Sequence, residues 1–213
     1  MRLILIIIMS AAQLWAELYF GVGRAIRSQA QTLSAEVGPS REPFLGRPYQ
    51  NIGDVAVMRG YSATISAPWG AVHNGVDFLV STGTRREFLA AEEGYITRIE
   101  KFPNSITGNW QVNVMIQYNK TFSMVYSFEP FSTNVADADT QVSSLAVREG
   151  RKVLKGDLIG KLVAMGYGTH VHFGLMKQKD SAICPAGYFE PGALNAIVAS
   201  LRAVFPAANL CHE

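Results

Sequence analysis

Gly168-Thr169-His170-Val171-His172-Phe173-Gly174-Leu175 decides how this chain is read, because its polar and apolar residues alternate. Successive side chains of a strand point to opposite faces. His170, His172 and Gly174 then share one face and Val171, Phe173 and Leu175 the other, so the apolar side can enter a core while both imidazoles face a cleft. A helix would set the two rings about 200° apart, where they could hardly serve one centre. His73-Asn74-Gly75-Val76-Asp77-Phe78 repeats the pattern, with His73, Gly75 and Asp77 on one face and Val76, Phe78 and Val80 on the other. These two stretches hold all but one of the chain's 4 histidines.

Two imidazoles and a carboxylate are a standard protein complement for catalytic zinc, which keeps a further position open for water or substrate. With one aspartate and two neutral histidines, Zn²⁺ retains positive charge, so it favours hydroxide character in bound water and polarises a carbonyl. Gly75 leaves space between the candidate ligands on either side of it. Taken singly, each motif is equally a set of hydrogen-bonded structural histidines. Taken together, two polar strand faces backed by apolar ones point to one metal centre and to hydrolysis.

The rest of the chain carries mainly strand signals. Trp110, Val112, Val114, Ile116 and Tyr118 alternate with Gln111, Asn113, Met115 and Gln117, the period of a half-buried strand. Residues 88–101 before it and 121–127 after it complete an antiparallel meander. Residues 129–146, with Pro130, Asp137 and Asp139, read as a long surface loop, and residues 147–160 as two short strands at glycine turns. Pro191 can open a helix, and Leu194, Ile197, Val198, Leu201 and Val204 follow at helical spacing. The expected class is mostly β: an antiparallel sheet with a C-terminal helix.

The 213 residues, 48% apolar, suffice for one domain with a real core, and a net charge of +2 gives no basic footprint for nucleic acid. Met1-Arg2, the apolar run from Leu3 to Met9 and Ser10-Ala11-Ala12 read as a signal peptide over residues 1–16. Apolar character continues through Trp15, Leu18, Tyr19 and Phe20 toward Gly23, so a retained membrane anchor is the other reading. Both place the remainder outside the cytoplasm, in the periplasm or cell envelope. Residues 17–50, with Pro39, Pro43 and Pro48, read as an extension or linker, and residues 51–213 as the folded domain. Cys184 and Cys211 are free to pair in such a compartment, closing a loop of about 27 residues worth about 3 kcal/mol; two unrelated buried thiols are the alternative.

In order, His73-x-Gly75-x-Asp77, Gly83-Thr84, residues 90–96, the glycine turns of 147–160 and Gly168-Thr169-His170-Val171-His172-Phe173 resemble the lysostaphin-type (LytM-like) zinc endopeptidases of bacterial cell walls. The resemblance runs over residues 50–177. It implies an antiparallel, open barrel-like β fold, Zn²⁺ held by His73, Asp77 and His172, and His170 as a catalytic histidine beside the metal. It also implies a groove for flexible glycine- or alanine-containing peptides, with peptidoglycan as the substrate that an exported chain would meet. A lipoyl-like carrier using Lys155 would leave the histidine motifs unexplained.

One position departs from that pattern. Relatives carry a second catalytic histidine in a Tyr-x-His segment, and the matching piece here is Tyr126-Ser127-Phe128. Phe128 can neither donate nor accept a proton. Loss of one acid-base group removes roughly 10² to 10⁴-fold of rate, so a weakened or inactive zinc-binding cell-wall module that regulates a partner hydrolase is the competing function. Nearby, Glu129 and Tyr126 are polar candidates for partial compensation, but Glu129 reads first as an exposed loop carboxylate and Tyr126 as a sheet tyrosine. Gly174 stands where many relatives carry an acidic residue, and His212 reads as a solvent-exposed tail residue.

Overall fold

Alternation along the chain becomes an antiparallel sheet. A computed structural model describes residues 41–80, 85–178 and 181–213. The leader and anchor readings, most of the expected extension, and Gly83-Thr84 lie outside the described residues. In chain order the strands are β1 (Ala56–Arg59), β2 (Tyr61–Ser62), β3 (Val76–Leu79), β4 (Arg85–Leu89), β5 (Gly94–Pro103), β6 (Trp110–Gln117) and β7 (Phe122–Glu129). Helix α1 (Val135–Ser143), β8 (Lys152–Val153), β9 (Leu158–Val163), β10 (His170–Lys177), β11 (Ser181–Ile183), α2 (Pro191–Val204) and β12 (Cys211–His212) follow.

The main sheet runs β1-β3-β10-β7-β6-β5-β8, with β11 also beside β10, and every pairing in it is antiparallel. One face makes the core. Val112, Val114 and Ile116 of β6, Met124, Tyr126 and Phe128 of β7, and Val171, Phe173 and Leu175 of β10 are all fully buried. The small β4–β9 pair contributes Phe88, Ile159 and Leu162 to the same core. Within it, Tyr126 is wholly enclosed; its hydroxyl accepts from Ala91 N at 2.8 Å and donates to Leu89 O at 2.9 Å. The segment before β1 also enters the core, through Leu45 and Tyr49.

Mostly β architecture with a C-terminal helix is thus as expected, and α2 starts at Pro191 and buries Ala193, Ile197 and Leu201. Two local expectations change. Residues 88–101 are not one strand: β4 pairs with β9, whereas β5 joins the main sheet, and the chain crosses between them at the buried Ala90-Ala91. Residues 135–143, expected as loop, form α1. Asn134 caps the Ala136 N–H, Asp137 sits favourably in the first turn, and the buried residues are Ala138 and Gln141. Gln141 is held by Lys161 O and Val163 N, so this helix docks through an amide and leaves no apolar stripe for periodicity to reveal.

The C-terminus closes over the sheet edge. Cys184 and Cys211 are disulfide-bonded. Beyond the bond, β12 pairs in parallel with β2, setting Cys211 opposite Tyr61 and His212 opposite Ser62. His212 is therefore no exposed tail residue: its ring packs edge-on against Trp69 at 5.1 Å. The bridge restricts the unfolded chain over a separation of 27 residues. Replacing both cysteines by serine is expected to lower unfolding free energy by about 3 kcal/mol, read as a lower midpoint in urea denaturation followed by tryptophan fluorescence.

Candidate metal centre

The face opposite the core is a groove of about 690 Å³. Its floor follows from the register. Asp77 on β3 pairs with His172 on β10, His172 pairs with Ser127 on β7, and Ser127 pairs with Asn113 on β6. All four line the groove, as do His73 and Arg59 toward one side and Glu129, His170 and Phe131 toward the other.

His73, Asp77 and His172 converge. The His73 Nε2 atom lies 3.0 Å from Asp77 Oδ1 and 3.1 Å from His172 Nδ1, which is itself 3.0 Å from Asp77 Oδ1. Among the described residues this is the group whose side chains could hold a metal ion. The separations test that idea. Ligands about 2.1 Å from a tetrahedral zinc stand roughly 3.4 Å apart, so these three atoms already lie near the required spacing.

Backbone carbonyls set the histidine tautomers. A carbonyl can only accept, so His73 Nδ1–H donates to Gly60 O at 2.7 Å; the converging Nε2 then donates to Asp77 when the ring is protonated and offers its lone pair to a metal when the ring is neutral. His170 Nδ1–H likewise donates to Gly168 O at 2.7 Å and turns its Nε2 into the groove. Gly60 is itself held by the C-terminal strap. Tyr61 N donates to Leu210 O, and Ser62 and His73 exchange two backbone hydrogen bonds of 2.8 Å.

Burial opposes ionisation of Asp77, yet hydrogen bonds from His172 and His73 and the nearby His170 hold its carboxyl well below the usual carboxylate range. For His73, burial pushes the pKa down, but the hydrogen bond and charge of Asp77, with the Gly60 carbonyl, outweigh it and raise the pKa. Asp77, only 6% exposed, is thus a carboxylate kept charged, a donor suited to a divalent cation.

Gly75 has a sharper role than spacing two ligands. A Cβ there would stand 2.3 Å from Phe173 O and 2.6 Å from His172 Nε2, so only glycine lets β10 and its histidine approach. The Gly168-Thr169 turn is equally constrained. Gly168 has φ 96° under the Phe131 ring, and buried Thr169 donates its hydroxyl hydrogen within reach of Pro130 O and Gly166 O. Phe131, itself at φ 61°, forms a strained aromatic wall beside His170.

Phe128 stands on β7 opposite Val171, not opposite a histidine, and its ring is fully buried 5.9 Å from that of Phe88. Tyr126 shares this core face. Glu129 is not a loop carboxylate: it is the last residue of β7, directly opposite His170, with Oε2 3.5 Å from His170 Nε2. The carbonyls of Gly60 and Gly168 left no sequence signal, whereas period-2 counting puts Glu129 on the groove side once Phe128 is assigned to the core and not to a groove histidine's place. Gly174 also lies on the groove floor, where a Cβ would meet nothing closer than 3.5 Å.

Burial makes Phe128→His a core substitution. It is expected to cost about 2 to 5 kcal/mol through lost packing and an unpaired polar ring, without placing an imidazole in the groove. Denaturant unfolding of the variant checks this.

No curated protein sequence matches the chain. Of 18 matching solved chains, one belongs to the SpoIIQ–SpoIIIAH pore-forming complex, with a TM-score of 0.52 and 21% identity over 80% of this chain and 100% of that one. The solution structure of lysostaphin matches with a TM-score of 0.45 and 21% identity, covering 72% of this chain and 58% of that one. The former likeness supports the fold. The sequence profile described as Peptidase family M23 matches residues 71–185, more than half of the 213 residues and the whole span from His73 to His172, and the chain belongs to that family.

Proposed function

We propose that this chain is an exported zinc metalloendopeptidase that hydrolyses peptide bonds of bacterial peptidoglycan. The observation that carries the reading is the convergence of His73 Nε2, His172 Nδ1 and Asp77 Oδ1 on the floor of a groove in an M23 chain. His73, Asp77 and His172 are assigned as ligands and His170 as a catalytic residue. A zinc ion held there supplies Lewis acidity toward the scissile carbonyl and lowers the pKa of coordinated water to about 7.

The chain's own residues supply the rest. His170, fixed by Gly168 O, directs Nε2 over the groove beside Asp77 Oδ1, 3.8 Å away, where it can position water or move a proton. Asn113 lines the groove floor, and its buried Oδ1 has no hydrogen-bond partner among the described residues. Gly174 keeps the floor low beside His172, which suits a peptide of small side chains. Export rests on the leader-like residues 1–16 and places the protein in the periplasm or cell envelope, whether the leader is cleaved or kept as an anchor.

The specific observation favouring a second reading is Phe128. Without a second groove histidine, the chain would be a zinc-binding wall module that binds peptidoglycan and regulates a partner hydrolase. Incubating the full chain with zinc and purified peptidoglycan, then counting new amine ends, separates the two. Wild type is expected to release amine ends, with His172→Ala reducing release by more than about 100-fold, the upper cost of losing even an outer-shell partner. Zinc binding and peptidoglycan binding without release would support the regulatory module instead.

A further inference from the structure

Peptide hydrolysis needs a proton taken from water and a proton delivered to the leaving nitrogen. In this groove one residue besides His170 is placed to do both. Antiparallel pairing sets Glu129 directly opposite His170, and alternation along β7 sends Ser127 and Glu129 to the groove while Phe128 enters the core. The Glu129 side chain is only 15% exposed and shares the groove with Asp77 and His172.

Hydrogen-bond accounting sharpens the point. The Gly168 carbonyl keeps a proton on His170 Nδ1, so Nε2 is the ring atom that faces Glu129 Oε2 at 3.5 Å and Asp77 Oδ1 at 3.8 Å. Both separations exceed an ordinary hydrogen bond, so these atoms do not satisfy one another directly. A water molecule bridges polar atoms so placed.

We propose that Glu129 is a catalytic residue, the second proton-handling group of this site; this rests on the hydrolase reading above. As the water oxygen forms its bond to the scissile carbonyl carbon, one of its protons passes to the Glu129 carboxylate. That proton then goes to the amide nitrogen as the C–N bond breaks, which releases the amine and returns Glu129 to its charged form. The other water proton stays with the new carboxyl group and is lost to solvent. A glutamate acting as base beside a two-histidine zinc site is established chemistry on unrelated helical scaffolds; here the carboxylate comes from a strand end.

The experiment compares full-length wild type, Glu129→Gln and Glu129→His, each loaded with zinc, for amine release from peptidoglycan, zinc content and thermal midpoint. It adds ¹⁵N spectra of the imidazoles in the metal-free proteins. Glu129→Gln is expected to lower kcat/KM by about 10² to 10⁴-fold with zinc content and midpoint unchanged, and to shift the His170 Nε2 resonance. Glu129→His, which puts a proton acceptor back on the groove face, is expected to recover part of the rate, and it keeps the test decisive if the glutamine variant fails to fold. Wild-type turnover in Glu129→Gln overturns the assignment. So does loss of zinc together with activity, which would make Glu129 a ligand, or an unmoved His170 resonance. Zinc-loaded wild type that releases no amine ends overturns the hydrolase reading itself and this assignment with it, a result distinct from failure of the variants alone.

Discussion

The register of β10 between β3 and β7 is the constraint on which everything else in this structure depends. Pairing sets His172 across from Asp77 on one side and Ser127 on the other, and sets His170 across from Glu129. Side chains of a strand alternate with a period of two, so a slip of one residue would carry both histidines into the core and Val171 and Phe173 into the groove. The core prevents this. Val171, Phe173 and Leu175 are fully buried against Tyr126 and Phe128 of β7 and Phe78 of β3, so the hydrophobic effect that assembles the sheet also fixes which face carries the chemistry.

Register places the side chains, but a second layer aims them. Two carbonyls, Gly60 O and Gly168 O, select the protonated nitrogen on His73 and His170. Neither carbonyl stands alone. Gly60 leads into β2, which pairs with β12, which follows Leu210 and carries the disulfide partner of Cys184. A Cβ on Gly60 would lie 2.1 Å from Leu210 O, so the C-terminal segment sits as close to this glycine as backbone can. The disulfide thereby connects covalent restraint of the C-terminus to the orientation of a candidate ligand.

How much was legible in the sequence follows from the same physics. The alternation at His170 to Leu175 and at Trp110 to Tyr118 reports half-buried strands; the first lies as read, and the second forms β6, which ends at Gln117, with Val112, Val114 and Ile116 turned inward as expected. Helix α1 was not legible, since what it buries is Ala138 and the amide of Gln141. The break between β4 and β5 was hidden because Ala90 and Ala91 continue an apolar run while the chain changes sheets. At the site, the candidate ligand residues were visible as residue types on shared faces. The aiming carbonyls were not, because every residue has one and only tertiary pairing selects which is used.

Charge ties the groove together. Asp77 and Glu129 approach one imidazole nitrogen from two strands, 3.8 Å and 3.5 Å away, in a place where Asp77 is nearly enclosed. Like charges so disposed repel, and little solvent is present to screen them. A divalent cation at the His73, Asp77 and His172 set would balance the two carboxylates, whereas a site with a second imidazole at the Glu129 position would keep a net positive charge. The strand that turns Phe128 inward and Glu129 outward therefore changes more than one side chain. With a divalent cation held there, the face would be neutral rather than cationic, which would lower its attraction for anions while leaving a proton acceptor at its side.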